Sequence, residues 1–254
     1  MSHLLDRATL LTMTSAFIVA LLCILPGTRG QFPVAIIAAG LHIGDALFHE
    51  MGHTVFAWLF GRPAIPMIFT LFGADQAGGM TLQWNYSWPV QVAAFAVLAY
   101  ACYRAREDMP VLFLPAIVFS LFIVLVAVTG YAKLVIAFMG HGSSILVGGF
   151  LLFRAWIYLD SRSAYERWLN ALFGFFLTLY NLSFSYGLAF KGDAQDYSEH
   201  VAFGIAHNDF MVMATLVPGW SVHGIGIFTV LYAAFSMIGS LVAAIYLRSD
   251  FREM

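Results

Sequence analysis

Long stretches without a charged residue constrain this chain more than any other feature of its sequence. Such windows need about 20 predominantly apolar residues to cross a bilayer as helices, and most of them reach that length. The windows without Asp, Glu, Lys or Arg are 8–28, 30–44, 76–103, 109–132, 134–153, 168–190 and 210–247. Hydrophobic residues make up 61% of the chain and charged residues only 10%. We therefore expect residues 1–254 to form a single all-α, multi-pass integral domain in the cell membrane.

The breaks between these windows predict seven or eight transmembrane helices. The predicted helices cover about 8–25, 33–60, 88–103, 110–130, 139–159, 168–190 and 223–247. Residues 200–217 are either an eighth span or a half-buried helix that stops at Pro218. The count also decides the orientation, because the excess of Arg on one side disappears with eight spans.

Residues 61–87, after the second helix, do not follow a helical pattern. Helix-breaking residues recur there, namely Pro63, Pro66, Gly73, Gly78 and Gly79. We interpret this range as a re-entrant or interfacial segment beside helix two. Non-helical backbone is tolerated at membrane depth only where protein or water satisfies it, as in a substrate groove. The alternative is an ordinary interfacial loop anchored by Trp84 and Trp88.

Charge and cysteine content exclude several classes of partner. The net charge of −2 does not favour a nucleic acid. Cys23 and Cys102 both lie in apolar runs, so neither a disulfide framework nor a cysteine metal site is indicated. The expected surroundings are the lipid bilayer, and nothing in the sequence specifies an oligomeric state.

The second predicted helix carries a His-Glu-x-x-His motif. On a helix, His49 and His53 lie one turn apart on one face, so both imidazoles can bind one metal ion, while Glu50 stands to the side as a general base. This is the arrangement of zinc hydrolases, in which a third protein ligand completes the site and one position is left open for water. We therefore expect one Zn²⁺ per chain.

The polar face of this helix continues toward its N-terminus. His42 and Asp45 fall on the same face as the motif histidines, within about 80° of arc. They could lie in the outer shell that orients a metal-bound imidazole, or bind a second metal. His207, which shares a helix face with His200, is a further candidate for that outer shell.

These residues resemble the site-2 protease family of intramembrane zinc metallopeptidases. The resemblance covers about fourteen residues, from His49-Glu50-Met51-Gly52-His53 to the Phe60-Gly61 pair near the helix end. It implies that His49 and His53 bind zinc and that Glu50 is the base. In that family the third ligand is an Asp followed by Gly on a later helix, and this chain contains no Asp-Gly.

The third metal ligand must therefore be chosen from other residues. Asp193, which precedes Ala194, is nearest in form but lies in a polar linker. Asp209 enters an apolar run, where an unpaired carboxylate would be unfavourable, and is the preferred ligand. His141 is the alternative, because a third histidine is equally good zinc chemistry.

The motif favours an intramembrane zinc metalloprotease that cleaves transmembrane or membrane-proximal bonds of membrane-protein substrates. Glu50 would deprotonate the attacking water and then protonate the leaving nitrogen. A zinc lipid amidase of the alkaline-ceramidase type is a second hypothesis, although its ligands are scattered over several helices. A non-enzymatic metal- or haem-binding membrane subunit is a third, and such a protein would not require Glu50.

Overall fold

The computed structural model describes residues 7–70, 77–108, 110–157, 163–191 and 209–250. These ranges contain eight helices and one antiparallel hairpin. The helices are α1 (Arg7–Ile24), α2 (Val34–Leu59), α3 (Trp88–Asp108), α4 (Pro110–Thr129), α5 (Ala132–Ile157), α6 (Ala164–Phe190), α7 (Asp209–Leu216) and α8 (Val222–Asp250). The strands are β1 (Ala64–Thr70) and β2 (Ala77–Gln83).

Five of the described helices are long and apolar enough to cross a membrane, which is consistent with a membrane protein. They are α1, α2, α5, α6 and the part of α8 from Val222 to Leu247. The surface agrees with this assignment, since large apolar side chains such as Leu231 and Phe235 on α8 are more than 60% exposed. In a soluble monomer such a surface would be unusually apolar.

Helix α2 begins and ends close to where its sequence predicts. It starts directly after Pro33 and ends before Phe60, and Gly61 follows with a φ of 72°. A side chain at Gly61 would be strained at that φ and would also lie within 3.0 Å of Tyr86 and Gln91. Glycine therefore lets the chain leave α2 and turn into β1.

The segment after α2 forms a hairpin that was not predicted as strands. Its register pairs Ala64 with Gln83 and Thr70 with Ala77, and both strands contact α2. The Trp58 indole also donates a hydrogen bond of 2.8 Å to the Ala64 carbonyl, which fixes β1 against the end of the helix. The hairpin thus lies beside the helix that carries the His-Glu-x-x-His motif.

Helix α5 is the centre of the bundle, because it packs against α2, α6 and α8. Small residues allow its close approach to α6: a Cβ on Gly148 would lie 3.1 Å from the carbonyl oxygen of Gly174. Sequence reasoning placed His141 at the start of this helix. The helix instead begins at Ala132, so His141 lies more than two turns inside it and within the bundle.

Candidate metal centre

Three side chains from two helices converge on one point. The Nε2 atoms of His49 and His53, one turn apart on α2, are 3.1 Å from each other. Oδ2 of Asp209, the first residue of α7, is 3.0 Å from the His49 nitrogen and 3.1 Å from the His53 nitrogen. The three atoms therefore form a nearly equilateral triangle between α2 and α7.

The size of this triangle is compatible with a small divalent metal ion. Imidazole nitrogens and carboxylate oxygens bind zinc at about 2.0–2.2 Å, so two ligands of a tetrahedral ion are about 3.4 Å apart. The observed edges of 3.0–3.1 Å are close to that separation. The donors, two imidazoles and one carboxylate, also suit zinc, although the same set accepts other divalent ions.

The hydrogen bond at the far side of the His53 ring fixes which nitrogen faces the cluster. Nδ1 of His53 lies 2.7 Å from the carbonyl oxygen of Ile136 on α5. A carbonyl oxygen only accepts, so Nδ1 carries the proton and donates. The Nε2 lone pair of the neutral ring is then directed toward His49 and Asp209, as a metal ligand requires.

His141 on α5 stands beside this triangle. Its ring is edge-on to that of His49, with centroids 4.6 Å apart. One ligand atom from each of His49, His141 and Asp209 lies within 4.8 Å of the other two. His141 is therefore near enough to join the cluster, but among the described residues Asp209 alone places a carboxylate oxygen within 3.1 Å of both motif histidines.

A chain of hydrogen bonds connects His141 with Asp45 on α2. The Asn181 amide nitrogen on α6 donates to Asp45 Oδ1 at 3.1 Å and to the Leu177 carbonyl at 2.8 Å. Its two donors are therefore used, which leaves Asn181 Oδ1 to accept from His141 Nδ1 at 2.8 Å. Asp45 thus acts on the cluster indirectly, through Asn181 and His141.

Glu50 is buried between α2 and the hairpin. The hydroxyl of Thr81 on β2 donates a hydrogen bond of 2.6 Å to Glu50 Oε2. Gly79 on the same strand covers the rest of the side chain, and a Cβ there would collide with Glu50 Cγ. Glu50 as a whole is only 5% exposed. The hairpin therefore both orients the candidate base and shields it from solvent.

Two glycines bring α2 and α5 into the contact that assembles the cluster. A Cβ on Gly140 would collide with Nε2 of His53 and lie 2.7 Å from Cε1 of His49. A Cβ on Gly52, inside the motif itself, would collide with the Met139 carbonyl and the Ser143 hydroxyl. Small residues at such a crossing let two backbones approach closely.

The charge state of Asp209 follows from its neighbours. Burial raises the pKa of its carboxyl, but the two motif imidazoles beside it outweigh burial and hold the pKa below its usual range. An ionised carboxylate between two imidazoles is the state in which Asp209 can bind a cation.

The cluster opens into a cavity of about 540 Å³. Its lining includes His49, Glu50, His53, His141 and Asp209, so all five candidates for catalysis and metal binding face one space. Residues of the hairpin and the first turns of α5 complete the wall.

The other predicted residues lie elsewhere. His42 is buried against the rings of Phe176 and Tyr180, and its Nε2 has no hydrogen-bond partner in the described part of the chain. His207, His200 and Asp193 lie outside the described residues. Sequence reasoning assigned no role to Thr81 or Asn181, although a polar residue such as Asn181 inside an apolar helix is itself a signal.

No family model, curated protein or solved structure matches this chain. The resemblance to site-2 proteases therefore rests on the motif residues of α2.

Proposed function

We propose that this protein is a membrane-embedded zinc hydrolase, most simply a metalloprotease that cleaves transmembrane or membrane-proximal peptide bonds. The observation that carries the proposal is the convergence of His49, His53 and Asp209 on one point, with Glu50 in the same cavity. A structural polar contact between helices would not require a second carboxylate beside the cluster and facing open space.

In this proposal one Zn²⁺ is bound by His49, His53 and Asp209. His141 lies close enough to serve as an additional or alternative ligand. The ion, when bound, supplies a Lewis acid that polarises a carbonyl and acidifies a water molecule. Ile136 and Asn181 fix the ring tautomers of His53 and His141, so that both imidazoles present a lone pair to the cluster.

Glu50 performs the proton transfers. One ligand atom from each of His49, Glu50 and His53 lies within 4.8 Å of the other two, and Thr81 holds Oε2 of Glu50 by a hydrogen bond. The carboxylate would take a proton from the attacking water and return it to the nitrogen of the leaving amine, so one group serves as base and then as acid. Thr81 keeps the carboxylate from rotating away between the two transfers.

The hairpin forms the wall against which a substrate would lie. Gly79, Met80, Thr81 and Gln83 of β2 line the cavity. An extended peptide beside this strand would bring a backbone carbonyl to the cluster, whereas a helical peptide has its carbonyls hydrogen-bonded within the helix. We therefore propose that the substrate is locally unwound when it reaches the site.

The proposed topology has seven spans. Helices α3 and α4 have 21 and 20 residues, and at about 1.5 Å per residue each measures about 30 Å, the thickness of the apolar core of a bilayer. Together with the five apolar helices described above they give seven crossings, with the hairpin re-entering beside α2. We place the protein in the cell membrane.

The test uses the full-length chain purified in detergent and loaded with zinc. A mixture of synthetic transmembrane peptides is incubated with it, and products are identified by mass spectrometry. Wild type should cleave at least one peptide, and Glu50→Gln should retain zinc but lose cleavage. Glu107→Gln, which changes a glutamate at the end of α3, is the matched control and should behave as wild type.

Three results would overturn the proposal. Cleavage that survives in Glu50→Gln would show that Glu50 is not the general base. Release of fatty acid from ceramide, without peptide cleavage, would favour the lipid amidase. A haem absorption band in the purified protein would favour the binding subunit.

A further inference from the structure

The cavity that holds the cluster has a cationic end. Arg62 lies just beyond the C-terminus of α2 and Lys133 lies in the first turn of α5, and both line the cavity together with Gln83 at the end of β2. Among the described residues, neither cation forms an ion pair or a side-chain hydrogen bond. Both side chains therefore have donors that a ligand in the cavity can use.

The distance from this end to the cluster matches a short piece of peptide. Lys133 precedes Gly140, which touches both motif histidines, by seven residues of the same helix. Seven residues correspond to about 10 Å along the helix axis. An extended chain advances about 3.3 Å per residue, so it covers that distance in about three residues.

Strand β2 supplies a continuous wall along the same path. Residues two apart on a strand lie on the same face, so Gly79, Thr81 and Gln83 share one face of β2. Gly79 and Thr81 contact Glu50, and Gln83 pairs in register with Ala64, two residues after Arg62. One face of β2 therefore runs from the candidate base to the cationic end.

The chemistry of the cationic end favours a carboxylate. A guanidinium binds a carboxylate through two parallel hydrogen bonds, and an ammonium adds a compact second charge. A lipid phosphate could satisfy the same cations. The peptide is favoured because the path between the two ends is walled by a strand and has the length of about three extended residues.

We propose that Arg62 and Lys133 bind a carboxylate of the substrate peptide, about three residues from the bond that is hydrolysed. The carboxylate is either the C-terminus or an Asp or Glu side chain. This inference deepens the proposed function and rests on it for the position of the reactive bond.

The experiment measures peptide binding by fluorescence anisotropy to zinc-loaded, full-length Glu50→Gln protein in detergent. The probes are labelled apolar peptides of one sequence: a free acid, its C-terminal amide, and amides that carry Asp or Asn at successive positions. At least one carboxylate peptide should bind about tenfold more tightly than its amide or Asn counterpart, as one charge-assisted contact predicts. A difference between the free acid and its amide identifies the C-terminal carboxylate, and a difference between an Asp peptide and its Asn counterpart identifies the side chain.

Variants then locate the site. Arg62→Gln and Lys133→Gln, each in the Glu50→Gln background, should lose most of the preference while retaining zinc and thermal stability. Arg106→Gln changes an arginine in the last turn of α3, away from the cavity lining, and should keep the full preference. Zinc content and unfolding temperature confirm that each variant is folded.

Equal binding of carboxylate and neutral peptides would overturn the inference, as would a preference that survives in both cavity variants. Competition by phosphatidylglycerol vesicles, dependent on Arg62 and Lys133 and without discrimination among the peptides, would replace the peptide by a lipid. Cleavage by wild type that ignores the carboxylate would refute the inference and leave the proposed function standing. Carboxylate-dependent binding without cleavage of any peptide would support the cation site and refute the hydrolase.

Discussion

The Nδ1 atom of His141 lies 2.8 Å from Oδ1 of Asn181, and this contact fixes the ring of His141 from a third helix. Asn181 cannot rotate its amide without losing its hydrogen bonds to Asp45 and Leu177. The cluster is therefore supported from α2, α5, α6 and α7, although its motif lies on α2 alone.

Loss of this support should weaken metal binding without abolishing it. Asn181→Ala leaves Asp45 and His141 without their shared partner, and outer-shell changes of this kind lower metal affinity about 10–100-fold. The measurement is a zinc titration against a competing chelator. Asn170→Ala is the matched control, because Asn170 is also buried on α6 and its amide nitrogen has no hydrogen-bond partner in the described ranges. Equal affinities in the two variants would show that Asn181 has no role at the cluster.

Removal of either motif histidine should remove the metal. His49→Ala and His53→Ala each delete one corner of the triangle, so most bound zinc should be lost, whereas Glu50→Gln should keep it. Metal analysis of the purified protein measures the outcome. His223→Ala, on α8 and outside the cluster, should bind as wild type. A full complement of zinc in His49→Ala would refute the site.

Asp209 should contribute more to zinc binding than His141 does. Asp209→Ala removes the carboxylate that contacts both histidines and should lower zinc occupancy as much as His53→Ala does. His141→Ala should lower it far less. Thr215→Ala changes a neighbouring polar residue of α7 that bonds only to its own helix and serves as the control. The reverse order would identify a site of three histidines.

Added volume at the helix crossing should destabilise the protein. In Gly140→Ala the new methyl group collides with the His53 ring, and overpacking of this kind typically costs about 1–3 kcal/mol. Gly40→Ala on α2 meets nothing within 4 Å, so it should be neutral or stabilising by up to about 1 kcal/mol. Thermal unfolding in detergent compares the two variants. A stable, zinc-replete Gly140→Ala protein would contradict the observed crossing.

The hydrogen bond from the hairpin should affect activity and not metal content. Thr81→Val keeps the shape of the side chain but cannot donate to Glu50, so turnover should fall while zinc remains. Thr81→Ser restores the hydroxyl and should restore most of the rate. Peptide cleavage and metal analysis on the same samples separate the two effects. Full activity in Thr81→Val would show that Glu50 needs no such support.

The sequence predicts helices far better than it predicts the hairpin. The bounds of α2 follow from Pro33 and Gly61, which act locally, and the absence of charge marks the long apolar helices. Strand β2 contains Gly78 and Gly79, which disfavour strands, and its pairing with β1 and packing on α2 are tertiary effects. Seven or eight spans were predicted, and five of the described helices have the length and hydropathy that a span needs.

The candidate site likewise has a part that the sequence predicts and a part that depends on tertiary packing. The spacing of His49 and His53 on one helix face is a local property, and it is visible in the motif. The apolar run around Asp209 marked that residue as a candidate ligand, but its contact with the two histidines depends on how α7 packs, which no pattern within either helix specifies. Thr81 and Asn181 also act across elements, so their roles emerge only once the helices and the hairpin are placed together.

The separation of 156 residues between His53 and Asp209 has a consequence for biosynthesis. At about 5–20 residues per second, a ribosome needs about 10–30 s to make the intervening chain after the motif helix has emerged. During that time α2 enters the membrane with two histidines that have not met Asp209. The nascent chain must therefore carry the motif helix without its carboxylate partner through much of translation, and a metal held by all three proposed ligands could be bound only near the end of synthesis.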